Sequence, residues 1–429
     1  MTFIGPGSGR LGEDLEREHQ EAGAEPTVED EAAAQASEAI LGAPHGIPSA
    51  GELRGRRRWP LPRAADPTAP LLVVRDLRTH FRLADGWVKA VDGVSLRLDD
   101  GEAVGIVGES GCGKTTTALS LMRLLPANAR IRKGSVIQLY GVDLAQRSEE
   151  RLRRYRWREI SIVFQGAMNA LNPVIEIGDQ IAEPLIERLG QSEREARVRA
   201  GELLELVGIP ARRAQAYPHE LSGGMRQRTM IAMALACEPA LVIGDEPTTA
   251  LDVMVQAQIL ELLERLRQEL GLSMILITHD LSVTAETCDR VMVMYAGRVA
   301  EEGPVRRLYA MPRHPYTQRL LGAFPNIRSG RRALDVIPGT PPDLRDPPTG
   351  CRFHPRCPEV MEICRVEVPP EIRFPDGVRV ACHLYQPGQD GGVVVTADEI
   401  ARHRALTAPA PASPQSIAAP VAVEQNARP

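Results

Sequence analysis

The chain has 429 residues, with 51 Lys and Arg against 56 Asp and Glu and a formal net charge of −5. At roughly 100–200 residues per domain, that is room for two or three domains and a substantial core. The mildly acidic balance speaks against a dedicated nucleic-acid binder. No apolar run nears the roughly 20 residues needed to span a bilayer. The opening MTFIGPGSGRLGED lacks the basic start and apolar stretch of a signal peptide. The expectation is a soluble, intracellular chain.

Residues 1–68 are expected to be a disordered extension. Their first 50 residues hold ten acidic and two basic side chains, and GRRRWPLPRAADPTAP then turns basic and proline-rich. LLVVRDLRTHF (71–81) and VSLRL (94–98) read as strands. AVGIVG (103–108) is a short buried strand that runs into the helix-forming TTTALSLMRLL. SIVF (161–164), LVIGD (241–245) and MILIT (274–278) are further apolar strands, separated by helical stretches such as QAQILELLERLRQEL (256–270). This alternation predicts an α/β fold with a mainly parallel sheet, whose ligands gather at the carboxyl ends of the strands. From about Arg404 the chain becomes an Ala/Pro-rich tail.

Four motifs sit at such strand ends, among them a glycine-rich loop and an Asp-Glu pair. Gly108-Glu-Ser110-Gly111-Cys112-Gly113-Lys114-Thr115, followed by Thr116, fits G-x-x-x-x-G-K-[ST]. Its backbone N–H groups can surround phosphate oxygens, Lys114 can reach the β- and γ-phosphates, and the Thr115 hydroxyl can ligate Mg²⁺. With only Lys89, Lys114 and Lys133 as lysines, an accidental Gly-rich turn ending in lysine is improbable. Asp245, ending LVIGD, is placed to hold Mg²⁺ through water, and Glu246 could polarise an attacking water as general base. Away from a phosphate loop, such an Asp-Glu pair would read as a solvated turn. Ser222, Gly223 and Gly224 precede the helical MRQRTMIAMALA. By physics alone they make an anion-binding helix N-terminus or, equally, an N-cap with a flexible turn.

Together these motifs resemble the ATP-binding subunits of ABC transporters, a P-loop NTPase family, over roughly residues 70–385. The resemblance implies an antiparallel N-terminal β part, a helical subdomain over about 166–225, and hydrolysis of ATP with Mg²⁺. It also implies that two nucleotide domains face head to tail, with Ser222, Gly223 and Gly224 contacting ATP bound by the other. Phe81 resembles the aromatic that stacks on adenine. Gln165, ending SIVFQ, matches the glutamine that touches Mg²⁺ and the attacking water. Asp252, in Ala250-Leu251-Asp252, matches the loop crossing the dimer interface, and His279, ending ILITHD, matches the γ-phosphate switch. Taken singly, a Phe, Gln or His would be structural. Cys112 stands where Ser is frequent and Gly244 where Ala is frequent; neither departure removes a ligand or the base.

FQGAMNALNPV (164–174), Arg313-His314-Pro315-Tyr316-Thr317 and IPGTPPDL (337–344) resemble the dipeptide/oligopeptide importer ATPases, some relatives of which carry nickel or other small solutes. That subgroup implies a second, paralogous ATPase subunit, two transmembrane permease subunits, an external solute-binding protein and a peripheral place on the cytoplasmic face of the membrane. The expected domains are 69–312 for nucleotide binding, 313–390 as a small cysteine-rich C-terminal module, and 391–429 as a flexible tail. Cys351, Cys357, Cys364 and Cys382 are spaced C-x5-C-x6-C-x17-C. Four thiolates suit zinc or an iron–sulfur cluster. The subgroup resemblance implies a [4Fe–4S] cluster, with zinc as the alternative. A soluble ABC ATPase of DNA repair or translation is disfavoured, because Thr115 to Leu221 carries no sustained heptads and the chain has one nucleotide domain. An exporter ATPase is disfavoured by the C-terminal extension.

Overall fold

The computed structural model describes residues 70–164, 166, 170–249, 251–323, 337–387 and 393–395. Gln165, the expected extension to residue 68 and most of the expected 391–429 tail lie outside the described residues.

Strands β1 (Leu72–Leu83) and β2 (Gly86–Leu98) form an antiparallel hairpin. Strand β1 buries Leu72 and Val74, then Leu77 and Thr79. This change of phase needs one irregularity, and the register shifts between Val74 and Leu77, where Asp76 takes φ 46°. The Asp76 N–H, displaced from the ladder, donates to Ser95 Oγ at 3.0 Å. The hairpin joins three short strands in an all-antiparallel five-stranded sheet.

The second sheet carries the site. Strand β3 (Ala103–Val107) is buried at every residue and leads through a loop into helix α1 (Lys114–Met122). Strands β4 (Ala129–Ile131), β5 (Val136–Leu139) and β6 (Val142–Asp143) belong to the first sheet. Strand β7 (Ile160–Val163), then β8 (Leu241–Asp245) and β9 (Ser273–Ile277), return to the second. Every residue of β8 and β9 is buried, which is the pattern of parallel strands covered on both faces. Strands β7, β8, β9 and β3 lie side by side in that order and run parallel. Beyond β3 come β10 (Arg290–Tyr295), parallel to it, and β11 (Arg298–Pro304), antiparallel to β10.

Helices α2 (Ile177–Leu189), α3 (Glu193–Leu206) and α4 (Gly223–Leu235) pack around Ile181, Leu185, Leu203 and Ile231. They form the expected helical part, which runs past residue 225 to the end of α4. A capping box between Ser192 and Glu195 starts α3. Helix α5 (Val253–Leu270) buries Ile259, Leu262 and Leu266 in the same cluster. Among the described residues no helix is long and apolar enough to cross a membrane.

The separate cysteine-rich module is corrected by the structure. Strands β12 (Glu371–Arg373) and β13 (Arg379–Ala381) extend the nucleotide domain's own sheet, β13 pairing antiparallel with β11. Strand β11 would otherwise expose an unpaired edge, and β13 covers it. Glu302 of β11, 1% exposed, is gripped by Arg290 on one side and Arg379 on the other. Strands β11 to β13 are charged or only three residues long and were not read from the sequence; β10, an apolar six-residue run like β3, β8 and β9, was legible but also missed.

Gly105 sits in β3 under helix α6 (Leu281–Thr287). A Cβ there would lie 2.7 Å from Thr284 Cγ2 and 3.3 Å from Cys288 Sγ. Gly105→Ala should force α6 off the sheet and lower stability by about 1–3 kcal/mol, measurable by urea unfolding of the full chain.

Candidate nucleotide site

The carboxyl ends of β3, β8 and β9 are adjacent in the sheet, and the candidate residues lie just past them. The loop after β3 closes tightly on its surroundings. A Cβ on Gly108 (φ 148°) would lie 2.2 Å from Met294 O, and one on Gly113 (φ 105°) 2.3 Å from Ala90 O. Only glycine fits at either position. Lys114, 6% exposed, curls back over the loop, and its Nζ donates to Gly108 O at 2.8 Å and Glu109 O at 3.0 Å. Cys112 Sγ lies 3.9 Å from the same nitrogen, and burial raises its thiol pKa, so it stands beside Lys114 as a neutral group. Ser110, Gly111 and Thr115 face solvent and Thr116 is half-buried. Among the described residues the N–H groups of Gly113, Lys114 and Thr115 make no hydrogen bond. A loop and helix start of this kind offer several donors and a cation to an anion.

Thr115 Oγ1 donates to Asp245 Oδ1 at 3.1 Å, joining the α1 start to the β8 end. Burial raises the Asp245 pKa; the Thr115 hydrogen bond and the Lys114 charge work against it, and the Glu246 charge works with it. Glu246 takes φ 49°, a left-handed conformation that costs a non-glycine residue about 1–2 kcal/mol. Its N–H donates to Ile277 O at 2.9 Å, tying the strained turn to the end of β9. Its carboxylate accepts from Thr249 Oγ1 at 3.0 Å and lies 3.7 Å from His279 Nδ1. The His279 side chain is 70% exposed, free to turn toward a ligand.

The structure thus brings Lys114, Thr115, Asp245, Glu246 and His279 to one edge. Among the described residues no hydrogen bond or ion pair links Ser222, Gly223, Gly224 or Asp252 to 108–116. Ser222 Oγ accepts from Met225 N–H at 3.3 Å and Asp252 Oδ1 from Val255 N–H at 2.9 Å, so each caps its own helix. Those helix starts adjoin, since a Cβ on Gly224 would lie 2.7 Å from Val255 Cγ1. Phe81 is half-buried on β1, opposite Val88 and Ala129.

The family description "ABC transporter" matches residues 91–249, and "Oligopeptide/dipeptide transporter, C-terminal region" matches residues 300–364. The dipeptide transport ATP-binding protein DppD of Bacillus subtilis is 47% identical over 317 residues, covering 73% of this chain and 94% of that protein. The chain belongs to the ABC transporter ATP-binding proteins. A Sinorhizobium fredii relative, named as a peptide ABC transporter ATP-binding protein (y4tR), is 48% identical over 322 residues, or 74% of this chain and 96% of its own. Among solved structures, the ATP-binding cassette MJ0796, a dimer bound to ADP and Pi in a post-hydrolysis state, is similar at TM-score 0.50 and 29% identity. It covers 55% of this chain and 99% of its own. The fold is the P-loop fold of ABC ATPases, and the chain is an ATPase of that type.

The cysteines are a different matter. Among the described residues no group of three or more His, Cys, Asp or Glu is arranged to hold a metal ion. The expected [4Fe–4S] cluster, like its zinc alternative, is therefore without support. Charge on Cys351, Cys357 or Cys364 opposes ionisation of Cys382, yet the thiols do not share one apolar setting. Cys351 and Cys357 pack against the cluster of Tyr316 and Phe353, and Cys382 packs with Ile372, Val380 and Tyr385. Burial raises the Cys351 pKa and pushes Cys357 up to about 12. His354 and His383 bond backbone carbonyls of Cys351 and Glu367.

Two contacts to the loop were not anticipated. Tyr316 Oη accepts from the Glu109 N–H at 2.9 Å, and Arg356 grips the Glu109 carboxylate at 2.6 and 2.9 Å. Glu109 occupies an unspecified position of the loop motif, and neither partner is close to it in sequence. The His-Pro-Tyr run was the one available signal.

Because the Gly113 neighbour is backbone, it cannot yield to a methyl group. Gly113→Ala should weaken MgATP binding by at least about tenfold, read by titration with a fluorescent ATP analogue.

Proposed function

We propose that the chain is the ATP-hydrolysing subunit of an ABC importer that takes up di- or oligopeptides. The observation that carries the reading is the meeting of Lys114, Thr115, Asp245 and Glu246 at one sheet edge, in a chain whose residues 300–364 match the oligopeptide/dipeptide transporter region. The names of the relatives support peptide as the cargo. We assign nucleotide binding to residues 69–312 and the oligopeptide-importer-type C-terminal region to 313–390.

In this reading the loop N–H groups and Lys114 bind the β- and γ-phosphates. Thr115, Asp245 and Gln165 hold Mg²⁺, which supplies charge neutralisation at the transferring phosphoryl group. Glu246 takes the proton of the attacking water, and His279 contacts the γ-phosphate. Phe81 stacks on adenine. Ser222, Gly223, Gly224 and Asp252, which make no hydrogen bond or ion pair to 108–116 among the described residues, serve the nucleotide of a second, paralogous ATPase subunit. Closure of the pair drives two membrane permease subunits, supplied by an external solute-binding protein, from the cytoplasmic face. The quartet Cys351, Cys357, Cys364 and Cys382 enters none of these steps.

Glu246→Gln should keep MgATP binding and slow hydrolysis by about 10²–10⁴-fold. Normal turnover by that variant in an assembled transporter would exclude Glu246 as the base. Deleting the chain should abolish uptake of labelled di- or oligopeptides by its cells, and undiminished uptake would remove peptide as the cargo.

A further inference from the structure

Every polar group of Glu109 is engaged. Its carbonyl accepts from Lys114 Nζ at 3.0 Å, on the inner side of the loop. Its N–H donates to Tyr316 Oη at 2.9 Å, and its carboxylate takes both Arg356 terminal nitrogens at 2.6 and 2.9 Å, on the outer side. Both outer partners come from beyond residue 312.

Each of those partners is itself held. Tyr316 is fully buried, its ring 4.7 Å from that of Tyr295 and 5.3 Å from that of Phe353. Its N–H donates to His314 Nδ1 at 3.0 Å. The N–H groups of Arg313 and His314 donate to the two carboxylate oxygens of buried Glu301, at 2.8 and 2.9 Å. This seats the turn on β11. Arg356, 8% exposed, donates through Nε to Pro338 O at 2.7 Å and through Nη1 to Tyr295 Oη at 3.3 Å. A bidentate pair so enclosed fixes orientation as well as charge.

We propose that Arg356 and Tyr316 are positioning residues of the ATP site. They hold Glu109 from behind so that its carbonyl, with that of Gly108, keeps the Lys114 ammonium at the phosphate-facing side of the loop. Arg356 has a second effect: it neutralises a carboxylate that would otherwise stand unpaired beside the incoming triphosphate. The C-terminal residues thus tune nucleotide affinity without touching nucleotide. The inference rests on reading residues 108–115 as the ATP phosphate loop.

The test is a charge cycle on the full chain, read by MgATP titration, with the thermal midpoint measured alongside. Arg356→Ala should weaken MgATP binding by about tenfold, and adding Glu109→Gln should recover part of that loss, because the unpaired carboxylate is then gone. Tyr316→Phe removes one oxygen from an otherwise unchanged ring. In the assembled transporter it should raise the KM for ATP about threefold while leaving kcat unchanged. Tyr316→Phe and Glu109→Gln keep the test open should Arg356→Ala fail to fold. Lys114→Ala separates the two claims. If it still binds MgATP as the parent does, the phosphate-loop reading itself fails. If it loses binding while the Arg356 and Tyr316 variants bind as the parent does, or if the double variant is no better than Arg356→Ala, the positioning role is overturned.

Discussion

Strands buried on both faces can satisfy their backbone groups only by lying beside one another. That constraint governs this molecule. Strands β7, β8, β9 and β3 are nearly unbroken apolar runs, and in parallel order their carboxyl ends share one edge. At that edge the chain turns polar, with Asp245 ending β8, His279 just past β9, and Lys114 opening the helix after the β3 loop. The site is therefore a consequence of how the core is hydrogen-bonded. Its tightness comes from Gly108 and Gly113, which let the loop lie against the carbonyls of Met294 and Ala90.

Behind that edge the described residues 337–387 complete the same body. Strands β12 and β13 close the sheet at β11, and the ion pairs of Glu302 with Arg290 and Arg379 fasten the added strands. A buried carboxylate leaves little room for error, since either arginine alone would leave part of it unmatched. Arg352 repeats the arrangement, bonding the Ala296 carbonyl and Asp92. The neighbouring Gly297 N–H reaches Cys112 O at 2.8 Å, so the C-terminal residues also meet the loop through this turn. Packing here is continuous from the cysteine-bearing segment to the nucleotide loop.

One strained residue stands at the same edge. Glu246 is held left-handed between its N–H bond to Ile277 and its side-chain bond to Thr249. Such a conformation persists because the surrounding sheet over-determines it. It turns a carboxylate that would otherwise trail along β8 toward His279 and the loop. Ser222 and Asp252, by contrast, are extended N-caps that each accept from their own helix's backbone.

Much of this was legible in the residues themselves. The apolar runs of β1, β3, β7, β8 and β9 and the long helix α5 are written in local periodicity, because burial on two faces or one leaves a pattern within a few residues. GESGCGKT is likewise local: a loop that wraps an anion needs its glycines and its lysine at fixed spacing. What the sequence could not contain is adjacency. The order β7–β8–β9–β3, the pairing of Glu109 with Tyr316 and Arg356 across 207 and 247 residues, and the joining of β13 to β11 depend on contacts with no local trace. The cysteines show the same limit from the other side. Their spacing suggested a shared ligand, whereas packing set Cys351 and Cys357 in one apolar cluster and Cys382 in another, because side-chain direction is decided by the fold around a residue and not by its distance along the chain.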